Sequence, residues 1–363
     1  VASASSPRVL WVDYAKGISI TLVVLYHVWA GIERRSDLIP VPEGLYGTLN
    51  PVFEALRMPL FFFISGMFAI RTIRREWRDF IVDKLRAIMW PYLIWSTIQS
   101  MISWGLARVS GQPPPFLLID LPVLIALDPL DQFWFLYVLF LALLLFYFLS
   151  KVVRSPLLIL GIGFLMLIAL SNFDFSVVGL GAGEDRLSLS QWGPFFQVLQ
   201  FFMYMALGAI CGKPLMDNVV NISNRTISWI GIFAALVVVG FIHGLHIERD
   251  TTAIFLGLKW PVGLPVALLA VASCLCVAVL LDRLKIGRVL LLFGKYSLYL
   301  FVLHVICAAA MRFLLLKLGI LEFYTHLLLG CGAGLLIPIL VAKVARKLNL
   351  LWLFTLPSRS RGG

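Results

Sequence analysis

Apolar positions in this chain run in long blocks. Segments at 10–32, 52–70, 87–107, 131–150, 156–172, 195–212, 226–243, 252–281, 296–316 and 324–342 are apolar, and short polar or charged stretches separate them. Each block approaches the ~20 residues a helix needs to cross a hydrocarbon core, and helices satisfy their own backbone groups there. The pattern predicts an all-α polytopic membrane protein, a bundle of about ten transmembrane helices. A short tail at 1–9, a single membrane domain at 10–347 and a second tail at 348–363 complete the expected organisation.

Charge gives the bundle an expected orientation. With the N-terminus inside, the cytoplasmic connections hold Arg71, Arg74, Arg75, Arg78, Lys84 and Arg86, then Lys151, Arg154, Lys213, Arg225, Arg283, Lys285 and Arg288, and finally Lys343, Arg346 and Lys347. The opposite loops carry chiefly Arg34, Arg35, Arg108, Arg186 and Arg249. This asymmetry follows the retention of Lys and Arg on the cytoplasmic side, and an even number of spans puts both termini there. The external loops contain Gln112 to Pro115 and the polar stretch Gly179 to Gln191.

Composition agrees: 61% of the 363 residues are hydrophobic and 13% charged, against roughly 45–50% apolar usage in soluble domains. The net charge of +11 sits in short clusters between apolar runs, which argues for membrane flanks and against nucleic acid. Five cysteines lie in or beside apolar segments with no metal-ligand spacing, so they read as packing residues and no metal is expected. The first apolar run keeps charged residues inside it, which suits a permanent helix and not a cleaved signal. Gly179 to Gly183 lacks the strand that a nucleotide-binding glycine loop requires.

Ionisable groups inside a spanning helix are costly and mark candidate sites. Asp13, Lys16 and His27 all fall in the first run, and Lys16 and His27 are eleven residues apart. Eleven residues make about three helical turns, so both share one face with roughly 16 Å between them. Lys16 at the cytoplasmic end suits an anionic ligand; His27, deeper, suits proton transfer. The plainer alternative is a snorkelling Lys16 beside Asp13 and a hydrogen-bonded structural His27. Lys84 and Arg86 open the third run and serve either as a membrane flank or as holders of phosphate. In the second run, Arg57 to Gly66 combines a proline, an aromatic run and Ser65-Gly66, which reads as a kinked, tightly packed helix. Ser65 lacks the surroundings of a hydrolase nucleophile. His304 lies in another apolar run after Lys295 to Leu300.

Together these segments resemble the membrane acyltransferase 3 family, bacterial proteins that O-acetylate cell-surface and exported polysaccharides. The likeness rests on Asp13, Lys16 and His27 in the first helix, Met58 to Gly66 in the second, Lys84-Leu85-Arg86 before the third, Phe133 to Leu136 in the middle, and Tyr296 to His304. No glutamate follows the middle Trp-x-Leu, where Tyr137 to Phe140 stand. That pattern is similar to the stand-alone branch, which includes fucose O-acetylases and exopolysaccharide acetyltransferases. Lysine replaces the commoner arginine at Lys16 and Lys84, keeping charge without bidentate geometry.

The resemblance implies an O-acyltransferase of the bacterial inner membrane that takes acetyl-CoA as acyl donor and a glycan or lipid-linked sugar as acceptor. It implies His27 as general base for direct transfer, or as carrier of an acetyl-His27 intermediate, with Asp13 orienting Lys16, and Lys16, Lys84 and Arg86 on the donor phosphates. Trp134, Ser65 and His304 become candidate substrate-binding residues, and glycan-assembly machinery or a second copy candidate partners. Fourteen residues separate Asp13 from His27, too far for an Asp–His relay within one helix. The competing reading is a transporter or flippase of acyl or glycan material, which would also use intramembrane charges; no inverted repeat is visible by inspection.

Overall fold

The computed structural model describes residues 9–42, 44–109, 111, 113, 116–127, 129, 131–171, 193–245 and 263–356. The stretch Gly179 to Gln191, the opening of the expected span at 252–281, residues 1–8 and Pro114 and Pro115 lie outside them. Among the described residues the chain is helical without a strand. In chain order the helices are α1 (Leu10–Glu33), α2 (Leu45–Ile73), α3 (Trp77–Lys84), α4 (Trp90–Val109), α5 (Leu121–Leu127), α6 (Trp134–Val152) and α7 (Pro156–Ser171). They continue as α8 (Gly193–Asn218), α9 (Asn224–Leu245), α10 (Gly263–Leu284), α11 (Arg288–Lys295), α12 (Ser297–Lys317) and α13 (Phe323–Lys347). Each expected apolar segment overlaps one of these helices.

Among the described residues six helical segments are long and apolar enough to cross a membrane: α1, α6, α8 with the turn after it, α10, α12 and α13. Counted over the described residues alone, α2, α7 and α9 contribute apolar stretches at Ala55–Ile70, Pro156–Leu170 and Asn224–Gly240. The outer faces of α9, α12 and α13 expose Trp229, Phe233, Phe313 and Leu328. Apolar surface of this kind is suited to lipid rather than water.

The helix that carries Asp13, Lys16 and His27 occupies the centre. α1 packs against α2, α10, α11, α12 and α13, and residues 11–15 are buried in succession. Its buried stretch gives Asp13 no solvent face, and Lys16 and His27 are half-buried against neighbouring helices. Glycines let its neighbours come this close. A Cβ at Gly17 would fall on the Leu290 carbonyl, and one at Gly294 on the Asp13 carbonyl, so α1 and α11 meet backbone to backbone. α2 and α8 lock in the same way, Gly66 against the Met205 carbonyl and Gly208 against the Phe63 carbonyl. Small residues at such contacts are the usual device of helix packing in lipid. The expected tight packing of the Ser65-Gly66 segment therefore has a definite cause in Gly66.

Side chains tie the ends. Tyr14 donates to the Ile286 carbonyl at 2.8 Å, and Ser19 donates to the Arg57 carbonyl at 2.8 Å. Trp90 and Trp95 donate to the carbonyls of Trp352 and Leu353, at 2.6 and 3.0 Å, fixing the segment after α13 on α4. Tyr299 at the start of α12 packs on Phe354, 4.6 Å between ring centroids, so the starts of α4 and α12 meet the segment after α13, while the start of α1 meets the turn before α11. His27, Arg34 and the start of α13 lie towards the other end of α1.

Two features depart from a simple row of spans. A π-helical turn, Leu85–Met89, joins α3 to α4 without a break. The connection from α4 to α6 also runs back along α4, because the Tyr92 hydroxyl donates to the Ile125 carbonyl and Gln99 pairs with Gln132 through bonds of 2.9 and 3.4 Å. Tyr92 stands at the start of α4, so by Ile125 the chain has come back most of the helix length, about 25 Å at 1.5 Å per residue.

Candidate functional site

α1 is one continuous helix that places His27 about three turns beyond Lys16. There its imidazole packs between two rings. Tyr26 lies edge-on with centroids 4.9 Å apart, and His304 of α12 lies tilted at 5.1 Å. His304 is fully buried. Its Nδ1 is 2.9 Å from each of the Leu300 and Phe301 carbonyl oxygens. A carbonyl oxygen only accepts, so Nδ1 carries the proton and Nε2 of the neutral ring is left as an acceptor. Among the described residues Nε2 has no hydrogen-bond partner. A buried lone pair without a donor is costly, and the His27 ring lies beside His304, its centroid 5.1 Å away.

Cations surround this pair. Arg57 of α2 is buried, its guanidinium 3.8 Å from the centroid of the Tyr26 ring, and it donates to Asn50 at 3.2 Å. Arg57 and Arg34 both lie close enough for their charge to act on His27. Arg312 reaches back from α12, and a Cβ added at Gly31 would land on its guanidinium. His27, Gly31, Arg34, Ala308 and Arg312 line a cavity of about 40 Å³. A cavity needs about 10–15 Å³ by this measure to hold one water. Such a space accommodates a water or a small polar group beside the imidazole.

The other end holds the remaining expected residues. Asp13 is buried, and Lys16 sits half-buried with its Nζ 5.5 Å from the Phe68 ring of α2. Lys84 ends α3, its Nζ 5.9 Å from the Phe80 ring and 3.4 Å from Asp83. Arg86 lies within the π-helical turn, a distortion often found at functional sites. Lys16 therefore shares an end of the bundle with Lys84 and Arg86 but packs on α2, whereas the π-helical turn packs on α6.

Trp134 stacks on Phe201 at 5.9 Å, and Phe201 stacks on Phe62 at 4.9 Å. Phe135 meets both Phe62 and Phe301, and Phe301 neighbours His304. An aromatic path thus leads from Trp134 to the histidine pair. Ser65 lies half-buried on α2, and among the described residues neither it nor Trp134 lines the cavity beside His27. All five cysteines are unpaired and buried or half-buried.

Sequence reasoning missed Arg312. A guanidinium inside the apolar run of α12 was the available signal, since a charge there is expensive without a purpose. It also treated His27 and His304 separately, because nothing local to either run says that their helix faces meet.

A family model described as an acyltransferase domain matches residues 9–343. No curated protein and no solved structure matches the chain.

Proposed function

Since the chain belongs to the acyltransferase 3 family, a family of membrane acyltransferases, we propose that it moves an acetyl group from cytoplasmic acetyl-CoA to a hydroxyl of a cell-surface or exported glycan. The bundle in this reading has ten spans with both termini cytoplasmic, in a bacterial inner membrane. The observation that carries it is the His27–His304 pair: an intramembrane imidazole beside a second ring whose acceptor nitrogen faces the interior unpartnered.

Acetyl-CoA presents its phosphates to Lys16, Lys84 and Arg86. CoA bears a ribose phosphate and a separate diphosphate, so cations on two different helix contacts suit it better than one compact cluster. Asp13, one turn from Lys16 on α1, orients it. The extended pantetheine arm then follows α1 to His27, over the roughly 16 Å that eleven helical residues span.

In this reading the His27 ring, which neighbours His304 without a hydrogen bond in the structure, turns when substrate binds to donate one N–H to His304 Nε2 and keeps its other nitrogen as the base, so His304 acts as a positioning residue. The acceptor hydroxyl gives its proton to that nitrogen as its oxygen attacks the thioester carbonyl. The tetrahedral intermediate collapses with loss of the C–S bond, and the imidazolium returns the proton to the departing thiolate. The products are free CoA and an acetyl ester.

The test is release of CoA from acetyl-CoA by the purified protein in nanodiscs, with and without glycan acceptors. Acceptor-stimulated release is expected, and His27→Ala should lower it by about 10²–10⁴-fold, the usual contribution of a general base. Undiminished release by His27→Ala overturns the base assignment. Transport of acetyl or glycan material without CoA release would favour a transporter instead.

A further inference from the structure

The His27 cavity carries more positive charge than a base and a neutral sugar require. Arg34 and Arg312 line it, and Arg57 stands behind Tyr26 with its charge acting on His27. Arg34 and Arg35 also act on Arg312. Arg34 and Arg35 are exposed and Arg312 is half-buried, so their mutual repulsion is partly screened by solvent, and a negative group between them would relieve what remains. Arg35 has such a group, pairing with Asp37 at 3.4 Å. Among the described residues neither Arg34 nor Arg312 forms an ion pair.

Arg312 is placed deliberately. Its side chain runs back along α12 from a half-buried position, and its guanidinium lies on the bare backbone of Gly31, where any side chain would displace it. The glycine makes the seat for the guanidinium, and the seat is one helical turn from His27. Guanidinium groups bind carboxylate and phosphate oxygens through paired donors. A cavity of about 40 Å³ has room for one small oxyanion, with the rest of a larger molecule beyond its mouth.

We propose that this cavity is an anion subsite for the acceptor, in which Arg312 and Arg34 hold a carboxylate or phosphate group carried by the sugar that is acylated. This rests on the acyl-transfer reading and makes its acceptor an acidic glycan. The charged group is bound on the side of His27 opposite Lys16, so donor and acceptor anions are recognised by different cations at different ends of α1. The anion fixes the sugar and leaves a neighbouring hydroxyl at the imidazole.

The experiment measures binding and turnover separately on the full chain in nanodiscs. Calorimetry compares tetragalacturonate, its methyl ester and glucose 1-phosphate, and CoA release is followed with the same compounds. Binding of either charged probe in preference to the ester is expected, and the probe that binds names carboxylate or phosphate as the source. Arg312→Gln should weaken charged-probe binding roughly 10- to 100-fold, the value of one charge-assisted contact. Gly31→Ala, which keeps every charge and pushes only the flexible end of Arg312, should weaken it in the same direction. Equal binding of acid and ester, no binding of either charged probe, or indifference to both substitutions overturns the subsite. Arginine-dependent binding without CoA release would retain the subsite and overturn the transferase reading. CoA release with equal use of acid and ester would do the reverse.

Discussion

At the scale of single residues the reading turns on which nitrogen of which imidazole is free. His304 is committed by two backbone carbonyls that fix its proton on Nδ1, and its Nε2 has no donor among the described residues. If that nitrogen orients His27, removing the acceptor should slow chemistry and leave donor binding intact. His304→Leu is expected to lower kcat about 10- to 100-fold with the KM for acetyl-CoA unchanged. His304→Gln, whose amide oxygen can accept the same hydrogen bond, should recover part of the rate. Equal losses in both variants, matched by equal losses of folded protein, would make His304 a packing residue. The sequence displayed both histidines as buried ionisable groups, yet the pairing depends on how α1 and α12 are rotated against each other. Arg312 was concealed for a related reason: a lone arginine late in an apolar run looks like a flank until a glycine on another helix is seen beneath it.

Between helices the deciding quantity is how closely backbones approach, and two glycines of α1 separate the possibilities. A Cβ at Gly17 would strike the Leu290 carbonyl, which belongs to a helix that cannot yield; at Gly31 it would strike the end of a flexible arginine. Gly17→Ala should therefore cost about 1–3 kcal/mol by overpacking, seen as a lower thermal midpoint in nanodiscs. Gly31→Ala should leave the midpoint near that of the parent, and its effect should fall on anion binding. A lower midpoint for Gly31→Ala with none for Gly17→Ala would reverse the assignment of backbone and side-chain contacts. The elements themselves were readable because apolar length alone marks a helix in lipid. The π-helical turn at Leu85–Met89 and the return of the chain to Ile125 beside Tyr92 were not. Nothing in hydropathy distinguishes a π turn from an α turn, and the return is set by Gln99 and Gln132, whose partnership exists only after folding.

For the whole molecule the question is which end faces which compartment, since donor and acceptor are assigned to opposite ends of α1. The contacts place the 219–224 turn beside Arg283, which donates to the Val219 and Ile222 carbonyls, and so at the end that holds Tyr14 and Ile286. Ser36 lies exposed just beyond α1 at the opposite end, near Arg34. If charge retention orients the bundle, Ser223 faces the cytoplasm and Ser36 the outside. A membrane-impermeant maleimide applied to spheroplasts should label Ser36→Cys above the background of the parent chain and leave Ser223→Cys unlabelled until the cells are lysed. The opposite pattern would turn Lys16, Lys84 and Arg86 away from cytoplasmic acetyl-CoA and remove the donor assignment, even with the histidine pair unchanged. The expected pattern would put the arginine-lined cavity on the side where an exported glycan arrives. It would also give the 16 Å between Lys16 and His27 a purpose, as the distance an acetyl group travels on its carrier while the nucleotide stays behind.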